Sequence, residues 1–137
     1  MADQLSALIQ SAKDAVVAND FARARSAYAE AAAMARSSGD QAHLAYVLRH
    51  LSDITRSDNA AEALAQAQEA RLIYRAQPDA LLDLANATRL AALAHADLAQ
   101  TENALADWRE AGALYAQLGV EAGVNECGRR VRALGGA

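Results

Sequence analysis

An internal repeat constrains this chain more than any other feature. LADWREAGALY, residues 105–115, is matched by LAQAQEARLIY, residues 64–74. The two blocks share Leu105/Leu64, Ala106/Ala65, Glu110/Glu69, Ala111/Ala70 and Tyr115/Tyr74, all at one constant offset. A further step back of about the same length reaches RSAYAEAAAMA, residues 25–35. There Glu30 and Ala31 keep register and Tyr28 takes the place of Trp108, which Ala67 takes in the middle copy. Ala24, Ala63 and Ala104 precede the three blocks. A weaker series lies between them: Leu48-x-x-Leu51-Ser52, Leu90-x-x-Leu93-Ala94 and Val124-x-x-Cys127-Gly128, with Leu8, Ser11 and Ala12 as a degenerate first copy. A unit of about 40 residues is one supersecondary element that must stack on its neighbours to bury an apolar face.

Composition says what that element is. The chain has 38 Ala, 7 Gly and 1 Pro in 137 residues. Alanine loses least on entering a helix, and Gly and Pro lose most, so the fold class is all-α. Gly39-Asp40, Ser57-Asp58-Asn59, Pro78-Asp79, Thr101 and Gly119 punctuate the pattern. Glycine suits the left-handed residue after a helix, and Asp, Asn or Thr caps the next start. The reading is seven helices, at about 3–18, 21–37, 40–56, 60–76, 79–99, 102–118 and 121–134. The alanine series lets the second helix of each pair lie close to the first. Trp108 is expected to pack between layers rather than serve as a platform for a ligand.

This pattern resembles the tetratricopeptide repeat in its longer form of about 40 residues. The first-helix signature is Leu48/Leu51/Ser52 and Leu90/Leu93/Ala94. The second-helix signature is Ala24/Tyr28/Ala31 and Ala104/Trp108/Ala111, from which Ala67 departs in the middle copy. The resemblance implies one domain over 1–137, a right-handed superhelix of about three antiparallel helix pairs (about 3–37, 40–76 and 79–118) with a C-terminal capping helix at about 121–134. It also implies a concave groove lined by first helices, holding a peptide or helix without catalysis.

With Leu48, Leu51 and Ser52 in the core, Arg49, Asp53 and Arg56 turn toward such a groove, with Tyr46 at its edge. The matching places in the third pair are Ala91, His95 and Leu98, with Thr88 at the edge. In the closing helix they are Asn125 and Arg129, then Arg132. Guanidinium groups bind carboxylates through paired hydrogen bonds, so the expected partner is a protein or peptide with acidic residues or a free C-terminus. The alternative is that these arginines are solvated or paired along their own helix, as Arg49 with Asp53. Some relatives clamp a terminal carboxylate with Lys and Asn. Here Lys13 is the one lysine, and the Asn places are not filled in that pattern.

Other chemistry has little support. The net charge is −4, the wrong sign for broad nucleic-acid binding. No run is apolar enough for a signal peptide or a membrane span, so a cytoplasmic location is expected. His43, His50 and His95 lack metal-site spacing, Cys127 holds a core place, and no catalytic triad, phosphate loop or zinc motif is present. Neither cofactor nor metal is expected. A second reading is self-assembly, as a homodimer through the apolar first helix with Leu5, Leu8, Ile9, Val16 and Val17.

Overall fold

A computed structural model describes residues 2–136. Among them are seven helices and no strand: α1 (Ala2–Val17), α2 (Phe21–Ser38), α3 (Gln41–Thr55), α4 (Ala60–Arg75), α5 (Leu81–Asp97), α6 (Thr101–Leu118) and α7 (Glu121–Ala133). Each packs chiefly on its neighbours in the chain, the arrangement of stacked helix pairs in a helical-repeat superhelix. The strongest contact between helices that are not neighbours is between α3 and α5. Contact between α1 and α3 is marginal at most. No helix among the described residues is long and apolar enough to cross a membrane.

The turns set the period. Asn19, Gly39, Ala99 and Gly119 are left-handed, with φ of 59°, 71°, 58° and 74°. After each, a backbone N–H closes the turn: Asp20 on the Ala15 carbonyl, Asp40 on Ala35, Gln100 on His95 and Val120 on Tyr115, at 2.8–2.9 Å. These bonds satisfy carbonyls that a helix end leaves orphaned. Asn19 and Ala99, like Gly39 and Gly119, stand two repeat lengths apart. Asp20, Asp40 and Asn59 side chains accept from Arg23, His43 and Glu62 N–H groups, capping α2, α3 and α4. The expected caps at Asp79 and Thr101 do not form. Ala80 precedes α5 and Gln100 precedes α6, neither with a side-chain bond, and Thr101 is already helical.

The second helices follow the sequence register. Ala24, Ala63, Ala104, Ala31, Ala70 and Ala111 are all fully buried, and Tyr28, Ala67 and Trp108 are buried between them. Trp108 therefore packs in the core, with the Arg130 guanidinium 5.4 Å from its ring centroid. Outside, ion pairs cross from one second helix to the next. Arg36 forks onto Glu69, Arg75 reaches Glu110 at 2.6 Å, and Arg71 reaches Glu110 at 2.7 Å.

The first helices do not follow the sequence register. α3, α5 and α7 start at 41, 81 and 121, so Leu48 corresponds to Thr88 and Leu51 to Ala91. The pairing of Leu48 with Leu90 is two residues out. A two-residue slip turns a helix by about 200°; α5 is buried on most sides, so Leu90, Leu93 and Ala94 lie in the core as expected, and the residues read as groove-facing, Thr88, Ala91 and His95, are buried as well.

Candidate functional site

That rotation decides which residues meet. Thr88 takes a core place equivalent to Leu48 and is fully buried, not at a groove edge. His95 is also buried: its Nδ1–H donates to Gln100 Oε1 at 2.7 Å, and its Nε2 lies 3.4 Å from Asp107. Ala91 is fully buried. In their place α5 presents Asn86 and Arg89, which stand one repeat after Tyr46 and Arg49. Arg49, Arg89 and Arg129 thus form one series at equal intervals. That spacing was readable in the sequence, but the apolar signature of the first helices obscured it.

Among the cavities lined by the described residues, three lie on the first-helix side. The largest, about 370 Å³, is a notch where α1, α2 and α3 meet. Val16, Val17, Phe21 and Ile54 form its apolar walls, and Tyr28, Tyr46 and His50 form its floor, with Lys13 and Asp53 also lining it. Val17 and Phe21 are 84% and 50% exposed, unusual for apolar side chains. The His50 ring stacks on Tyr28 at 5.8 Å and tilts against Tyr46 at 4.4 Å. Burial, aided by the Arg49 charge, pushes His50 down to about 4, so it is neutral at pH 7.

A second cavity of about 330 Å³ continues between α1 and α3, lined by Ser6, Ile9, Gln10, Lys13, His43 and Tyr46. Lys13 and Tyr46 line both spaces. The Lys13 ammonium sits over the Tyr46 ring, 5.4 Å from its centroid. A third cavity, about 130 Å³, lies between α3 and α5, lined by Arg49, His50, Asp53, Asn86, Arg89 and Leu90.

Two of the three arginines of the expected basic strip meet carboxylates on other helices. Arg56 pairs with Asp97 at 2.9 Å, and Arg89 with Glu126 through two bonds of 2.6 and 3.1 Å. Arg49 has Asp83 at 3.9 Å; the pair expected with Asp53 along its own helix is not formed within 4 Å. Asn125 and Arg129 are exposed on α7, away from the cavities. Among the described residues, Lys13, Asp53 and Arg129 have no oppositely charged group within 4 Å. So the structure brings together Tyr46, Arg49 and Asp53, adds Lys13, His50, Asn86 and Arg89, and removes Thr88 and His95.

No set of three or more His, Cys, Asp or Glu able to hold a metal occurs among the described residues. Cys127 is buried, which pushes its thiol up to about 11 and leaves it protonated at neutral pH. Neither a protein-family model nor a curated protein sequence matches this chain.

Proposed function

We propose that the chain is a protein-interaction module of the tetratricopeptide kind, holding a peptide or helix of a partner along the first-helix side, without catalysis. One observation carries this reading: a run of concave cavities follows α1, α3 and α5, with exposed apolar walls at Val17 and Phe21 and uncompensated charges at Lys13 and Asp53. Exposed apolar surface rimmed by polar groups is the usual mark of a binding site. The internal pairing of Arg49, Arg56 and Arg89 moves the emphasis from a basic strip to the apolar notch. We place the module in the cytoplasm.

The alternative, self-assembly, has less behind it. Leu5 and Ile9 are buried against the protein's own core, while Val17 is exposed, so only the C-terminal end of the apolar stripe of α1, at the notch, is left to dimerise. The outer rungs Arg36–Glu69 and Arg75–Glu110 also stop at both ends. Glu30, the equivalent of Glu69, has no partner within 4 Å among the described residues, and Ala116 stands where the next arginine would be. End-to-end stacking of copies finds no matching pair there.

Selection of randomised displayed peptides on the full chain tests the module. Enrichment by the wild type and its loss on Tyr46→Asp, with helicity unchanged, is the expected outcome. Equal enrichment by both proteins places the site elsewhere. Light scattering that finds a stable dimer at tens of micromolar favours self-assembly.

A further inference from the structure

The C-terminal end of the stack holds a cavity that shares no lining residue with the three on the first-helix side. It measures about 300 Å³ and lies between α6 and α7. Trp108 and Cys127 form its floor, and Val124 and Val131 wall it. Gly112 and Gly128 line it without side chains, and Arg109 and Arg132 complete it.

The repeat explains the hollow. One unit earlier, Trp108, Gly112, Cys127 and Gly128 correspond to Ala67, Arg71, Ala87 and Thr88, and Val131 and Arg132 to Ala91 and Ala92. There α6 lies over the places. Arg71 reaches Asp107 at 3.1 Å and Glu110 at 2.7 Å, and Ala67, Ala87, Thr88, Ala91 and Ala92 are fully buried. Among the described residues no helix follows α7. Glycine also stands where the earlier unit has Arg71 and Thr88. A missing neighbour and two missing side chains leave the space.

Its charge is one-sided. Eight of the twelve arginines meet an Asp or Glu within 4 Å among the described residues. The four that do not are Arg23, Arg109, Arg129 and Arg132; the last three gather on α6 and α7, and two of them line the cavity. A Cβ placed at Gly128 would lie 3.4 Å from Arg132 Nη1, and one at Gly136 3.0 Å from Arg109 Nη2. The carboxylates of the neighbouring turns are engaged elsewhere, Asp107 and Glu110 by Arg71 and Glu126 by Arg89. The lining side chains thus offer two cations, an indole N–H and a protonated thiol, with no carboxylate, amide or hydroxyl. A complementary ligand carries a negative charge at one end and is apolar elsewhere. At the ~30 Å³ that a water occupies in the liquid, the cavity takes about ten non-hydrogen atoms.

We propose that this cavity is a binding site for a small organic carboxylate, with its apolar body against Trp108, Val124 and Val131 and its carboxylate on the guanidinium groups of Arg109 and Arg132. Charge-assisted hydrogen bonds of this kind are about twice as strong as neutral ones. The site is separate from the peptide-binding side and does not depend on it.

Octanoate matches the size and is the probe. Titration of the full chain is followed by calorimetry and by the emission of Trp108, the one tryptophan. Saturable binding with a shift in that emission is expected. Affinity should fall about ten-fold for octanamide, which keeps the shape and drops the charge, and for the double variant Arg109→Gln with Arg132→Gln. Both arginines are exposed, so their loss leaves the helices in place, as circular dichroism checks. Gly128→Leu fills the cavity with the residue that Leu48 supplies two units earlier, and its first neighbour is the free end of the Arg132 side chain. That variant should keep or raise its melting temperature and lose calorimetric binding. Octanamide bound as tightly as octanoate overturns the proposal. So does octanoate bound equally by wild type and Gly128→Leu, or unchanged affinity in the arginine double variant, or no saturable binding at all. Capture of displayed peptides through Tyr46 is a separate readout, so either site can fail without the other.

Discussion

Arg89 and Glu126 face each other as a fork, Nε to Oε1 at 2.6 Å and Nη2 to Oε2 at 3.1 Å. The pair ties α5 to α7, two first helices that otherwise share little contact. Its side chains are 35% and 20% exposed, so water screens the pair only in part.

The first prediction concerns this fork. Hydrogen bonding by Arg89, with its charge, holds the Glu126 carboxyl below its usual range. A lowered carboxylate contributes stability that is present above its unfolded value and is lost as pH falls through the folded one. Glu126→Gln should cost about 1–2 kcal/mol at pH 7. Urea melts of both proteins check it: the difference should shrink toward pH 3, and a difference that does not change with pH points to packing instead.

His50 works in the same sense, over a higher pH range. Its folded value of about 4 lies below the ordinary 6.5, chiefly through burial. Between these values the unfolded chain binds more protons, so stability falls as pH drops from about 6.5 toward 4. The loss should reach about 2–3 kcal/mol. His50→Gln should remove this slope, read as the pH dependence of the denaturation midpoint, while keeping the other carboxylate contributions.

These groups show where the sequence was legible. In α2, α4 and α6 the contact residues are repeated alanines, and one aromatic place marks the face, so the register could be matched position by position. In α3, α5 and α7 the same core is filled by unlike side chains: Leu48, Thr88 and Gly128 share one place, and Leu51, Ala91 and Val131 share another. An apolar template then finds a better match at Leu90 than at Thr88; both are buried, so the core residues are found but the groove-facing ones are misplaced. The charges of the site were hidden for a different reason. Arg49, Arg56 and Arg89 meet carboxylates on later helices, at Asp83, Asp97 and Glu126, and no local spacing rule reaches that far.

The slip itself gives a prediction. Thr88 occupies a leucine place, and its hydroxyl is buried with no hydrogen-bond partner in the structure. A buried hydroxyl left unsatisfied costs about 1–3 kcal/mol. Thr88→Val keeps the shape and removes the group, so it should be neutral to stabilising by about 1 kcal/mol. A thermal melt that drops by several degrees would show that the hydroxyl is satisfied after all. A groove role for Thr88 predicts something else, namely lost peptide capture at unchanged stability.

Ala99 carries the last prediction. It adopts φ 58° in the α5–α6 turn, the conformation that Gly119 adopts at φ 74° after α6. The left-handed region costs a side chain with a Cβ about 1–2 kcal/mol relative to glycine. The same substitution also gives the unfolded chain more freedom, which offsets up to about 1 kcal/mol. Ala99→Gly should therefore stabilise the fold by about 0.5–1 kcal/mol, while Gly119→Ala should destabilise it by a similar amount. The two changes alter one methyl group each, in turns closed by equivalent bonds from Gln100 to His95 and from Val120 to Tyr115. Opposite shifts of the urea midpoint are the expected result. Shifts of the same sign would mean that the left-handed backbone conformation is not what sets the cost of a side chain at these two turns.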